Sequence, residues 1–176
     1  MTPDLPPMVT LQPVAVTVAP GDAGERAAWF LLDQVDPDFS VEIPCPPESL
    51  KISGGNDDLL MGGTLKDVRC EKDGLVFLIN IGGVPSVPGT KPIFDKLSKM
   101  SGRRASAPTI DLPVPGHRTF AERFEIEGNL VQRLLVEINR NKVVTFTVGS
   151  DPEKKPNLEY QRLTIDRFFA SLKVRS

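Results

Sequence analysis

LVQRLLVEINRNKVVTFTVGSDPEKKPNLEYQRLTIDRFFASLKV, from Leu130 to Val174, carries the most regular pattern in the chain and decides how the rest is read. Leu134, Val136 and Ile138 share one face of a strand, and Val144, Phe146 and Val148 share one face of the next. Both rows must meet the same core, because a one-residue slip turns a whole strand over. A two-residue loop at Arg140-Asn141 pairs Ile138 with Val143, out of phase. A three-residue loop of Arg140, Asn141 and Lys142 pairs Ile138 with Val144 and Val136 with Phe146, so the longer loop is expected, with Asn141 or Lys142 left-handed. After Gly149, the run from Ser150 to Asn157 reads as a loop. A helix follows, with Ile165, Phe168, Phe169 and Leu172 as its core stripe, Thr164 as its N-cap, and Asp166, Arg167 and Ser171 turned to water.

Composition bounds the rest. The chain has 176 residues and a net charge of -2, so nothing in its global charge argues for nucleic acid or an anionic membrane. Its 17 prolines and 14 glycines point to many turns and linkers. Cys45 and Cys70 match no metal or redox spacing and read as two buried free thiols rather than a disulfide. No apolar run of about 18 residues is present, so no membrane span is expected. The first residues, MTPDLPPMVT, lack the character of a signal peptide. The chain is thus cytoplasmic as it stands, or exported if a signal segment has been removed.

Residues 1–25 read as an extended Pro-rich tail, in which Val14, Val16 and Val18 could add an edge strand. Residues 26–176 read as a single domain. Trp29 to Leu32 and Phe39 to Ile43 flank a turn at Asp36-Pro37-Asp38, and Pro46 and Pro47 stop the second strand. Glycines make a loop of 53–63. Thr64 to Glu71 and Leu75 to Ile81 form a hairpin about Asp73-Gly74, and LVFLINI, apolar on both faces, is the candidate central strand, covered on two sides. A short helix is expected from Pro92 to Met100. Phe120 to Glu127 alternates Phe124 and Ile126 against Arg123, Glu125 and Glu127, and Gly128-Asn129 turns it into Leu130. The sum is an α+β fold: an antiparallel sheet of about seven strands with two helices.

Chemistry is sparse. One histidine, His117, cannot build a zinc cluster, and no nucleophile motif or phosphate-binding glycine pattern occurs. Asn56, Asp57 and Asp58 lack the spacing of a calcium loop. Neither a cofactor nor a metal is expected. The connection 101–118 is long for a compact domain and reads as a flexible insertion. Within it Arg103, Arg104, His117 and Arg118 form a local basic spot, the candidate binding site for an acidic partner.

The Trp-bearing strand, Phe39 to Pro44 (FSVEIP), the central apolar strand, the hairpin ending VTFTVGSD (Val144 to Asp151) and IDRFFASLKV (Ile165 to Val174) together resemble the PsbP-like family. That fold is shared with Ran-GTPase-binding proteins and small bacterial exported proteins of unknown role. The resemblance spans roughly residues 28–174. It implies an α/β/α sandwich that binds proteins or small ligands without catalysis; a photosynthetic role is not carried over, because no metal or docking residues of those members can be placed here. The expected function is a non-catalytic binding or accessory module with an unknown protein partner. The alternative is a small-molecule-binding protein or enzyme whose pocket is formed by loops 53–63 and 101–118, with His117, Asp57 or Asp58 converging. Oligomeric state is left open.

Overall fold

The computed structural model describes residues 12–14, 28–54, 64–83, 94–95, 97–98, 112–154 and 156–175. The seven strands read from sequence are all present: β2 (Trp29–Leu32), β3 (Phe39–Ile43), β5 (Thr64–Lys72), β6 (Leu75–Gly83), β7 (Thr119–Ile126), β8 (Asn129–Asn139) and β9 (Lys142–Ser150). Three short strands join them: β1 (Gln12–Val14), β4 (Lys51–Gly54) and β10 (Lys173–Val174). They form two antiparallel sheets rather than one, β1-β2-β3-β10 and β4-β5-β6-β9-β8-β7. One α-helix, α1 (Leu158–Ser171), packs on them. Phe94, Asp95, Leu97 and Ser98 are also helical, within the helix expected over 92–100. The sequence supports α+β at this level.

Each local device has a residue-level cause. Asp73-Gly74 and Glu127-Gly128 take positive φ at both positions, the mirror-image turn that suits the twist of a two-residue hairpin. A side chain at Gly74 would also strike Pro156 and Lys154 at 3.2 Å. The β8–β9 hairpin corrects the expected register. Its loop is the shorter one, Arg140-Asn141, with Asn139 opposite Lys142 and neither loop residue left-handed. Asn139 Oδ1 accepts from the Asn141 N–H at 2.8 Å, fixing the turn. A bulge at Ile138 then absorbs the lost phase, so that Val136 faces Val144 and Leu134 faces Phe146. The apolar rows still share one face, by a different route.

Helix α1 begins earlier than expected. Asn157, not Thr164, is the cap: its Oδ1 accepts from the N–H groups of Glu159 and Tyr160. Thr164 is buried in the helix interior. Ile165, Phe168 and Phe169 enter the core as expected, with Phe168 against Phe77, Phe146 and Phe169. Arg167 and Ser171 are not turned to water. Arg167 lies over the Trp29 ring at 4.4 Å, and Ser171 bonds to β3. The helix also stops at Ser171, so Lys173 and Val174 leave it as a strand.

The core lies between the two sheets and α1, where Leu32, Phe39, Val41 and Ile43 meet Phe77, Ile79, Val144 and Phe146. β6 is interior to its sheet, with Leu75, Phe77 and Ile79 buried, while Val76 and Leu78 on its other face are only half-buried. A second, small cluster of Phe94, Leu135 and Val143, joined by Leu97 and Phe120, sits on that other face over β8 and β9. β7 runs in the opposite phase to the sequence expectation. Ala121 is its core residue and Arg123 faces the helix, bonded to Asp166 at 2.8 Å. Phe124 therefore lies on the far face, and Ile126 is 58% exposed.

Two non-local ties fix the sheets together. Cys45 and Cys70 are joined in a disulfide rather than being free thiols, linking the chain just after β3 to β5 across 25 residues. The expectation of free thiols failed because pairing depends on a contact between two sheets, which spacing does not encode. Lys142, at the start of β9, reaches the β2–β3 turn and bonds Asp36 and Asp38. Burial opposes its charge, but the bonds and charges of the two carboxylates outweigh that and raise its pKa above the ordinary lysine value.

Candidate functional site

The segment entering β7 forms the first wall of a groove. Val114-Pro115-Gly116-His117 is a tight turn: proline sets the first central position, Gly116 takes φ 80° at the second, and the His117 N–H donates to the Val114 carbonyl at 3.1 Å. Two residues anchor this turn to β8 at one point. His117 Nδ1 donates to the Glu137 carbonyl at 2.9 Å; since a carbonyl only accepts, Nδ1 carries the proton. The Glu137 N–H in turn donates to the Arg118 carbonyl at 2.9 Å.

Arg118 is tied on every side. Its guanidinium forks onto the Glu137 carboxylate through Nε and Nη2, and Nη1 donates to Asp95 at 2.9 Å. It also lies over the Phe94 ring at 4.8 Å. Those bonds, to Glu137 first and Asp95 second, hold its pKa above the ordinary arginine value. One cation thus faces two carboxylates, and the described half of the expected basic spot is electrostatically matched from within. Arg103 and Arg104, its other half, lie outside the described residues, as do Asn56, Asp57 and Asp58. Among the described residues, no group of three or more His, Cys, Asp or Glu side chains is placed to hold a metal ion. Nor, among them, is any helix long and apolar enough to cross a membrane.

The opposite wall comes from the end of α1. Leu172 closes the helix in an extended conformation, its N–H donating to the Phe169 carbonyl at 3.3 Å. Ser171 makes the joint. Its Oγ–H donates to the Phe168 carbonyl at 2.6 Å, and the same oxygen accepts from the Glu42 N–H at 2.9 Å. The chain then pairs with β3 as β10, Lys173 opposite Ser40 and Val174 opposite Phe39.

Between the walls lies an open groove of about 380 Å³. Leu112, Pro113, Val114 and Pro115 line one side; Leu172, Lys173 and Val174 line the other; Leu134 and Phe169 make the floor. Lys173 is the one charged side chain among them, and among the described residues no carboxylate lines the groove. The arrangement can hold an apolar body and, at one rim, an anionic group. It offers no paired acid and base and no nucleophile beside a base.

One wall of the groove is built from residues 112–115, at the described end of the 101–118 connection. Neither His117 nor Arg118 lines the groove. His117 and Arg118 position the wall, whereas Leu112, Val114, Leu172 and Lys173 present it. The signal for these was faint: LPVP (Leu112 to Pro115) puts two apolar side chains among residues too rich in proline to pack as a central strand. Comparison with protein-family models, with curated protein sequences and with solved structures finds no match for this chain.

Proposed function

We propose that the chain is a non-catalytic binding module that takes an apolar stretch of a protein partner into the groove between Leu112–Pro115 and the end of α1. The observation that carries this is the groove's lining: eight apolar residues and one lysine, open to solvent and built on a rigid joint. Open apolar clefts rimmed by polar groups are where soluble domains meet partners. The PsbP-like resemblance supports the same reading, since that fold serves binding. A sandwich of the α/β/α kind is also supported by the two-sided cover of β8 and β9: α1 lies over Leu134, Val136, Val144 and Phe146, and the helical Phe94 and Leu97 lie over Leu135 and Val143. The disulfide supports a working place in an oxidising compartment, where such bonds persist.

The test is photo-crosslinking from position 114, on the opposite wall, in the native host, with Leu172→Asp as the control. A crosslinked protein that the aspartate variant loses is the expected result. The competing reading, a small-molecule pocket or an enzyme, gains if native mass spectrometry shows a bound small molecule that Leu172→Asp releases, with no crosslinked protein.

A further inference from the structure

Resting on the reading of this groove as a protein-binding site, we infer that its occupant is an extended segment of another protein that pairs as a strand with β10 and sets an Asp or Glu side chain against Lys173. Among the described residues β10 ends its sheet, with no strand on the side away from β3. Which backbone groups it leaves open follows from the ladder. Antiparallel pairs alternate between hydrogen-bonded and non-hydrogen-bonded residues. The Arg175 N–H donates to the Asp38 carbonyl at 2.7 Å, one step beyond Val174 opposite Phe39. Val174 therefore sits at a non-bonded position, and its N–H and C=O point away from β3. Neither has a hydrogen-bond partner among the described residues. An open strand edge of this kind is a template for a further strand.

The other wall cannot compete for that template. Pro113 and Pro115 have no N–H, and the Val114 carbonyl already accepts from His117. An inserted segment thus gains backbone bonds from β10 and apolar contact from the prolines, which leave this wall fewer donors. Strand side chains alternate, so every second one faces the floor of Leu134 and Phe169. Charge complementarity fixes the remaining feature. Among the described residues the Lys173 side chain has neither an ion pair nor a hydrogen bond, although it lines an otherwise apolar groove. The Arg175 guanidinium follows it and, among the described residues, donates to the Pro37 carbonyl. A carboxylate on the incoming strand meets an unpaired ammonium there.

Selection of random decapeptides against the full chain, followed by fluorescence anisotropy with the enriched peptides, tests this. The expected peptides alternate apolar residues and carry an Asp or Glu. Val174→Pro removes the outward N–H and no bond to β3, so it should weaken binding roughly two- to tenfold, one net hydrogen bond. Lys173→Glu should weaken it more than about tenfold at low salt, with the gap narrowing as ionic strength rises. N-methylation of alternate peptide amides asks the same question from the partner's side, should Val174→Pro fold poorly. Peptides that lose binding with Leu172→Asp but bind Val174→Pro, and tolerate N-methylation, as tightly as the parent forms would overturn the strand pairing and leave the groove reading standing. Enriched peptides indifferent to Leu172→Asp would sink the groove reading itself. A wild-type chain that sediments as a dimer, dissociated by Val174→Pro, would replace the peptide with a second copy of this chain.

Discussion

The two ends of helix α1 meet the sheets in opposite ways. At the N-terminal end, Gln161 is fully buried and every polar group has a partner: its Oε1 accepts from the Leu130 N–H at 2.8 Å, and its Nε2 donates to the carbonyls of Gly128 and Pro156. At the C-terminal end, Leu172 and Val174 are half-buried beside a groove, and among the described residues the Lys173 side chain is unpaired and the β10 edge is open. A closed polar network makes a joint with one geometry, because leaving any member unbonded is costly. Half-buried apolar surface does the reverse: it is held in place but not used up. The contrast places a closed joint at one end of a single helix and an open groove at the other.

The largest effect should come from the middle, where both ends depend on the same anchor. Phe168 is fully buried against Phe77 and Phe146. Phe168→Ala is expected to lower unfolding free energy by about 3 to 5 kcal/mol in a urea titration. A loss below about 1 kcal/mol would mean that α1 is not held by this face, and the contrast between its ends would lose its footing.

How far these features could be read in advance differs from one to the next. The inner face of β8 and β9 is legible because Leu134, Val136, Val144, Phe146 and Val148 repeat with period two, and the core imposes that phase whatever the loop does. The loop itself is not legible: a bulge at Ile138 and a longer loop restore the same phase, and alternation alone does not choose between them. β7 misleads because Phe124 and Ile126 outweigh Ala121 in apolar character, yet Arg123 and Asp166 decide which face meets the helix. The groove and the disulfide share a deeper obstacle. Each joins residues from separate elements, Leu112 with Leu172 and Cys45 with Cys70, and no local pattern records such contacts.

Reducing the disulfide sharpens the comparison from outside the helix. Cys45 and Cys70 are both buried, and their bond ties the sheet that carries β10 to the sheet that carries α1's core partners. Cys45→Ala with Cys70→Ala should cost about 2 to 4 kcal/mol. Hydrogen exchange should rise most in β3 and β5. Uniform acceleration along the chain would show that the sheets are joined by the core alone.

Gln161→Leu probes the closed end directly. The leucine has similar size but strands the Leu130 N–H, and loss of about 1 to 3 kcal/mol is expected. Groove binding, measured with the selected peptides, should persist under conditions where the variant stays folded. Parallel loss of stability and binding would show that the two ends act as one unit.

The smallest effect is expected at the joint of the open end. Ser171 Oγ holds the last helical turn through Phe168 and holds β3 through the Glu42 N–H, so Ser171→Ala leaves that N–H without its acceptor just where β10 begins. The amide is half-buried and water can partly replace the hydroxyl, which limits the cost to about 1 kcal/mol. The local consequence should exceed the global one. Exchange of the Glu42 amide should accelerate at least tenfold while the amides of Leu134 and Val144 stay protected, because only the edge of the four-stranded sheet loosens. Binding should fall as well, since β10 can template a strand only while it is held straight against β3. If the Glu42 amide exchanged at its original rate, β10 would be positioned by Phe169 and Leu172 packing instead, and the open end would be an apolar joint rather than a hydrogen-bonded one.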